Sequence, residues 1–391
     1  MFQIFIMGWA NTGRTPLLCG LLLTMLTVLS ADGAPGLSTN KRGELLFEGR
    51  PFRGIGVNYY DAFTRTLEAT VRTNYDAGFR ELAARKLRFA RFSAGGFWPR
   101  DWQLYQTNRA EHFARLDGVV RSAEQHGIGL IPSCFWHLSA IPDVVGEPCN
   151  RWGDPNSRTI AFMSQYTAEL VKRYSKSPAI WAWEFGNEYN LAADLPNAAT
   201  HRPPVVPQLG TPSQRSAQDE LTHENIRVAL REFALEVRKH DRQRLIVSGN
   251  SFPRPSAWHQ MQERSWQKDT PAQFAEILAA DNPSPINSIC VRAYDATNDL
   301  SRLAQAMSVA KAVEKPLFVG EFGAPGDNGP EAKALFAAIL NAIQTNQIPL
   351  SALWVFDFDG QKKDWNVTPT NLRSWQLDAI QQANQEMQSG R

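Results

Sequence analysis

Gly54-Ile55-Gly56-Val57-Asn58-Tyr59-Tyr60 is the stretch on which the fold turns. It is a short apolar run that reads as a buried β-strand. An open, doubly wound sheet would follow its first strand with a glycine-rich phosphate turn that opens a helix. No such turn leads from Asn58 into a helix. Working outward, β-type runs recur at 87–92, 129–136, 179–185, 245–249, 288–294, 316–321 and 352–356. Helical patterns lie between and after them, at 73–86, 109–126, 158–175, 218–240, 271–280, 299–314, 330–346 and 372–388. Strands that each precede a helix predict an α/β fold, a single-domain (β/α)8 TIM barrel, for which about 250 residues is typical. Residues 45–52 read as a hairpin capping the barrel floor. Residues 191–217 are rich in proline and polar side chains without periodicity, and so predict a long functional loop after the fourth strand.

The chain of 391 residues has a hydrophobic share of 43% and a charged share of 20%, enough for a sizeable core. Lys and Arg number 41 against 39 Asp and Glu, a net charge of +2. There is no basic field to draw the chain to nucleic acid. Seven histidines show no His-x-His or His-x-x-x-His spacing. No Gly-x-Ser-x-Gly elbow or phosphate loop occurs, so serine-hydrolase and nucleotide chemistry are set aside and no cofactor or metal is expected. Near the start, Arg14 precedes an apolar run over 16–30, and Ala31-Asp32-Gly33-Ala34 follows with small residues. That order reads as a signal peptide over 1–34 before a catalytic domain over 35–391. The run is shorter than the about 20 residues of a membrane span, which favours cleavage over a retained anchor. A secreted or periplasmic monomer, with no membrane contact after cleavage, is the expectation. Cys134, Cys149 and Cys290 then remain, and export permits a bridge between the first two, which the sequence leaves open.

Barrel chemistry is found at the C-terminal ends of the strands. The fourth strand ends Trp183-Glu184-Phe185-Gly186-Asn187-Glu188, and the seventh ends Phe318-Val319-Gly320-Glu321-Phe322-Gly323. Each brings a carboxylate to the point where an apolar strand surfaces. Two carboxylates across a barrel mouth suit cleavage of a glycosidic bond, one kept protonated for the leaving group and one kept ionised.

These motifs resemble the cellulase family, glycoside hydrolase family 5, and its clan A relatives. The resemblance runs from Glu48-Gly49-Arg50-Pro51-Phe52-Arg53-Gly54 to the strand of Trp354. Asn187-Glu188 matches the family's Asn-Glu pair, which implies that Glu188 is the acid/base. Glu321 matches its nucleophile. Arg91, Tyr294 and Trp354 match three further active-site positions: the arginine and tyrosine hold the nucleophile ionised, and the tryptophan floors the sugar site. Two positions depart from the pattern. Arg292 stands where the family usually carries histidine, and His137 or Trp136 occupies its histidine or asparagine position after strand three. The strand-four motif is most similar to that of β-mannanases. The resemblance implies a retaining, endo-acting β-glycosidase on a polysaccharide or oligosaccharide such as β-mannan or β-glucan. Its carboxyl carbons are then expected about 5–5.5 Å apart.

Plainer readings stand beside these. Glu188 alone could cap a helix or pair with Arg91, and Glu184 reads as a buried support. Asp357 and Asp359 read as solvated loop residues, while Asp61 and Asp295 fit either a turn or a substrate contact. Arg292, a permanent cation near the nucleophile, should help keep Glu321 ionised, and is expected to pair with an acidic residue such as Asp295, Asp357 or Glu184 rather than to contact sugar. His137 is either a ligand contact or a structural imidazole. Trp181, Trp183 and Trp375 read as core, whereas Trp98, Trp102, Trp136, Trp152, Trp258 and Trp354 fall near the mouth, where flat rings stack on sugars. Asn58, Arg91, Trp136, Glu188, Tyr294, Glu321 and Trp354 should all meet at one mouth. The rival functions are a non-catalytic carbohydrate-binding barrel and a transglycosylase.

Overall fold

The computed structural model describes residues 35–389, except Ala69 and residues 296–298. The predicted signal peptide therefore lies outside the described residues. Strands whose residues are all apolar or all buried have no face for solvent, and a parallel barrel wrapped in helices gives them none. The barrel strands are β1 (Gly54–Asn58), β2 (Phe89–Ser93), β3 (Gly129–Phe135), β4 (Ala182–Gly186), β5 (Leu245–Val247), β6 (Ile289–Ala293), β7 (Leu317–Phe322) and β8 (Leu350–Leu353). Every residue in them is buried. They pair in parallel in the order β5-β4-β3-β2-β1-β8-β7-β6. The remaining seam, β5 to β6, has no ladder. It is joined by Ser288 Oγ donating to Ile246 O at 2.9 Å and by Ile246 N donating to Asn287 Oδ1 at 2.7 Å. This is the near-closed (β/α)8 barrel, in one domain, that the alternating pattern predicts.

A long helix follows each strand: α1 (Tyr75–Ala84), α2 (Arg109–His126), α3 (Arg158–Tyr174), α4 (His223–His240), α5 (Pro271–Ala280), α6 (Asp299–Ala312), α7 (Pro330–Thr345) and α8 (Trp375–Ser389). Their ends follow local chemistry. In α2 the Asn108 side chain accepts the Glu111 N–H, and Gly127 closes the helix at φ 67°. Helix α4 starts at His223 rather than 218 because Thr222 caps it, Oγ1 accepting the Asn225 N–H at 3.1 Å. Strand β8 lies earlier than expected, pairing Leu350 with Gly54 through Leu353 with Val57. Trp354 through Phe356 then leave the ladder to cross the mouth, with Trp354 N bonded to Phe322 O and Phe356 N to Asn58 O.

The opposite end is closed by a small antiparallel sheet, Leu37–Thr39, Leu45–Phe47 and Arg50–Pro51. Phe47 and Phe52 pack on Trp181, with ring centroids at 4.4 and 5.5 Å, and so seal the floor. Cys134 and Cys149 do not pair: both are free and buried, one within β3 and the other in the turn Cys149–Gly153. Nearness in sequence does not join them, because each is held in its own element. No described helix is long and apolar enough to cross a membrane.

Candidate active site

Arg91, in the middle of β2, organises the mouth. Its Nε donates to Glu184 Oε1 at 2.7 Å and its Nη1 to Asn58 Oδ1 at 2.9 Å. Nη1 also reaches Glu321 Oε1 at 2.8 Å, and Nη2 reaches Asn187 Oδ1 at 2.8 Å. The guanidinium lies 4.3 Å over the Trp136 ring. A cation without exposure needs such a set of acceptors, and β1, β4 and β7 supply them from side chains that point inward.

Glu321 is aimed by an irregularity in β7. The register with β6 shifts between Val319 and Glu321, and such a bulge re-aims the next side chain. Tyr294 OH donates to Glu321 Oε2 at 2.6 Å, and Arg292 Nε stands 3.2 Å from Oε1. Burial and the Glu321 charge push the Tyr294 hydroxyl well above its ordinary range, so it remains a donor.

Glu188 sits differently. It lies beyond β4 in the left-handed conformation, φ 55°, with its N–H bonded to Gly249 O at 2.9 Å. Gly249 itself has φ 77°, and a Cβ there would stand 1.8 Å from Gly186 O, so only glycine lets β5 approach β4 this closely. Burial raises the Glu188 carboxyl above its usual value and the neighbouring Glu321 raises it further, against the pull of Arg292, Ser251 and Arg91. One carboxylate is thus surrounded by donors and cations while its neighbour is held toward the protonated form.

Asn187 has its Oδ1 occupied by Arg91 Nη2 at 2.8 Å and by Arg292 Nη2 at 3.1 Å. Two donors on one atom settle the amide orientation and leave Nδ2 as the group able to donate elsewhere. Asn58 is fully buried, its Nδ2 donating to Gly320 O at 2.9 Å, which makes it a support beneath the site. Trp136 and Trp354 lie with centroids 5.9 Å apart and planes at 28°, with Tyr60 against both. His137 points elsewhere, against Phe97, Trp98 and Ser139. Burial lowers its pKa to about 4, so it is neutral in ordinary buffers. Of the two residues after β3, Trp136 is the one at the Arg91 centre.

A groove of about 980 Å³ adjoins this centre at Trp136 and Trp354 and is lined further by Tyr60, Phe97, Trp98 and Phe358 among others, while Glu188 and Glu321 do not line it. Trp102 and Trp152 are fully buried and pack within the fold. Trp258 bonds Glu276 instead. Trp375 is half-buried against Phe336 rather than deep in the core. Asp359 is exposed as expected, whereas Asp357 is only partly exposed: it pairs with Arg65 Nη1 at 3.0 Å and accepts from Tyr59 OH at 2.9 Å. Asp61 is buried and pairs with the same arginine, whose guanidinium needs such acceptors. Arg292 forms its ion pair with Glu321 rather than with Asp295, Asp357 or Glu184. The sequence reading also missed Trp365, whose ring centroid stands 5.1 Å from that of Tyr294, and Gln361, which accepts from Trp354 Nε1 at 2.8 Å. Neither belongs to a motif. Among the described residues, no group of three His, Cys, Asp or Glu is placed to hold a metal ion.

The sequence profile of the cellulase family, glycosyl hydrolase family 5, matches residues 49–360. The chain belongs to glycosyl hydrolase family 5. A curated relative, the probable mannan endo-1,4-beta-mannosidase A of Aspergillus clavatus, is 28% identical over 183 residues, 43% of this family 5 chain and 48% of the relative. The chain thus spans about half the length of that relative, and smaller shares of others it matches. Among solved structures, the endo-1,4-beta-mannanase from Rhizomucor miehei superposes with a TM-score of 0.64 at 14% identity, covering 90% of this chain and 99% of that one. The endoglucanase catalytic domain from Thermobifida fusca gives 0.56 at 15%, covering 89% and 98%. At such identities these two establish the shared barrel.

Proposed function

We propose that this family 5 chain is a retaining, endo-acting β-glycoside hydrolase that cleaves β-1,4-mannan by double displacement. The observation that carries the reading is the contrast between two neighbouring carboxylates. Glu321 accepts from Arg91 and Tyr294 and faces Arg292, an environment for an ionised nucleophile. Glu188 is pushed toward its protonated form by burial and by Glu321, an environment for an acid. Glu188 gives its proton to the leaving oxygen as Glu321 bonds to the anomeric carbon. It then takes a proton from the water that releases the sugar. Asn187 Nδ2 holds the sugar 2-hydroxyl, Trp354 floors the sugar site, and the aromatic groove binds the rest of the chain. The mannan preference rests on the names of the curated relative and of the Rhizomucor neighbour. β-Glucan is the second reading, supported by the endoglucanase neighbour. The enzyme is a monomer exported after cleavage of residues 1–34, which N-terminal sequencing and sizing of the exported protein test.

The test is hydrolysis of mannan, glucomannan and mixed-linkage β-glucan, with product lengths recorded and the first-formed anomer followed by proton NMR. Mannan cleaved internally with β-anomers appearing first is the expected result. First-formed α-anomers would mean inversion, products longer than the substrate would mean transglycosylation, and binding without cleavage would mean a carbohydrate-binding barrel.

A further inference from the structure

Arg292 does more than its place in β6 requires. The side chain is 2% exposed and reaches across the β5–β6 seam, Nη2 donating to Gly249 O at 2.9 Å. The same Nη2 donates to Asn187 Oδ1 at 3.1 Å, and Nε stands 3.2 Å from Glu321 Oε1. Nη1 lies on Val291 O and Cys290 Sγ, at 3.2 and 3.1 Å. The space is reserved for it: a Cβ at Gly320, just before the nucleophile, would stand 2.1 Å from Nη1. A stitch across the seam needs no charge, and Asn287 and Ser288 already bridge it. The charge therefore answers to the carboxylates.

The ionisable groups around it come from several strands. Glu321 faces it from β7, Glu184 from β4 and Glu188 from the turn after β4. Cys290 belongs to its own strand and Tyr294 directly follows it, and Arg91 of β2 shares Glu321 Oε1 with it. With Glu188 protonated, two guanidiniums meet the carboxylates of Glu184 and Glu321, and the cluster balances.

We propose that Arg292 is a positioning residue for the reaction assigned above: it holds Asn187 as a donor to the substrate and, as a second cation at the carboxylate pair, sets the working pH of that pair on the acid side. The proposal rests on the glycosidase reading. A cation near two carboxylates favours the ionised form of each. Glu321 must be ionised, which sets the acid limb of the pH–rate profile. Glu188 must be protonated, which sets the basic limb. Removing the charge raises both pKa values, so both limbs move to higher pH together. A residue that only holds the seam would lower the melting temperature and leave the limbs in place.

The experiment measures kcat/KM against pH for wild type, Arg292→Met, Arg292→Gln and Arg292→Lys, each with its melting curve. Glutamine can still donate to Gly249 O, so it serves if the methionine variant does not fold. Both neutral variants should shift both limbs upward by about one pH unit, with kcat falling more than KM rises. Lysine keeps the charge without the fork, so its limbs should stay at the wild-type pH while kcat falls. A folded neutral variant with unmoved limbs overturns the proposal. So does failure of both neutral variants to fold, since the charge would then serve the fold. A wild type that cleaves no β-glycan would instead remove the glycosidase reading.

Discussion

Arg91 and Glu184 form an ion pair in which neither side chain has any exposure, Nε to Oε1 at 2.7 Å. Glu184 is fully buried within β4, and its other oxygen has no hydrogen-bond partner among the described residues. Its work is to anchor the guanidinium that holds Glu321 and Asn187. Glu184→Ala should cost about 3 kcal/mol in urea unfolding, toward the low end for breaking a buried pair because Glu321 still faces Arg91. Activity should fall by more than the unfolded fraction explains, since Arg91 loses its anchor. Glu184→Gln, which keeps the acceptor, should recover most of the stability.

The two carboxylates separate by chemical rescue. Glu321→Ala should lose activity on every substrate, because no glycosyl-enzyme forms. Glu188→Ala should still be glycosylated by a nitrophenyl glycoside, whose leaving group needs no proton. Azide should then restore turnover in both variants, giving the β-azide with Glu188→Ala and the α-azide with Glu321→Ala. The reversed pairing of variant and anomer would exchange the two roles.

Stability should register the raised Glu188 pKa. Above its ordinary 4.5, the unfolded chain releases the proton that the native site retains, so wild type loses stability as pH rises toward the native value. Beyond that value the loss is complete and constant. Glu188→Gln mimics the protonated acid and avoids the loss. It should melt with wild type at about pH 4 and at a higher temperature than wild type at about pH 8, as read by calorimetry. An equal melting difference at both pH values would contradict the burial argument.

The aromatic groove predicts a dependence on chain length. Trp98 lines it beside Phe97 and His137. Trp98→Ala should raise KM for long mannan several-fold, because a stacked ring contributes about 1 kcal/mol. It should leave a short aryl glycoside unaffected, and the product-length distribution should shift.

The free thiols give a simple chemical check. Cys134, Cys149 and Cys290 are buried, and burial pushes each thiol pKa up. The native enzyme should resist iodoacetamide, and reductant should leave its melting temperature unchanged. Any fall on reduction would reveal a bridge.

The alternation of strands and helices was legible in the chain because it depends on local chemistry. Each strand is a run that solvent never touches, and each helix carries its own periodicity. Helices α2 and α5 match the bounds that periodicity predicts residue for residue, and of the others only α8 oversteps them, by one residue. Glu188 and Glu321 were legible as candidates for the same reason, since each stands where an apolar run ends. Partnerships were not. Arg91 and Glu321 meet across 230 positions of sequence, and Arg292 and Asn187 across 105. Nothing local told Arg292 that it would bond Asn187 and Gly249 O, told Asp357 that Arg65 would pair with it, or kept Cys134 from Cys149. The choice between Trp136 and His137 turned on which ring lies under a guanidinium from another strand. The sequence by itself determined a barrel and the carboxylates at its mouth, because burial periodicity and strand ends are properties of neighbouring residues. Only the tertiary structure decided which carboxylate is held by cations and which is pushed toward its protonated form, because a pKa depends on the charges, donors and burial that distant strands bring together.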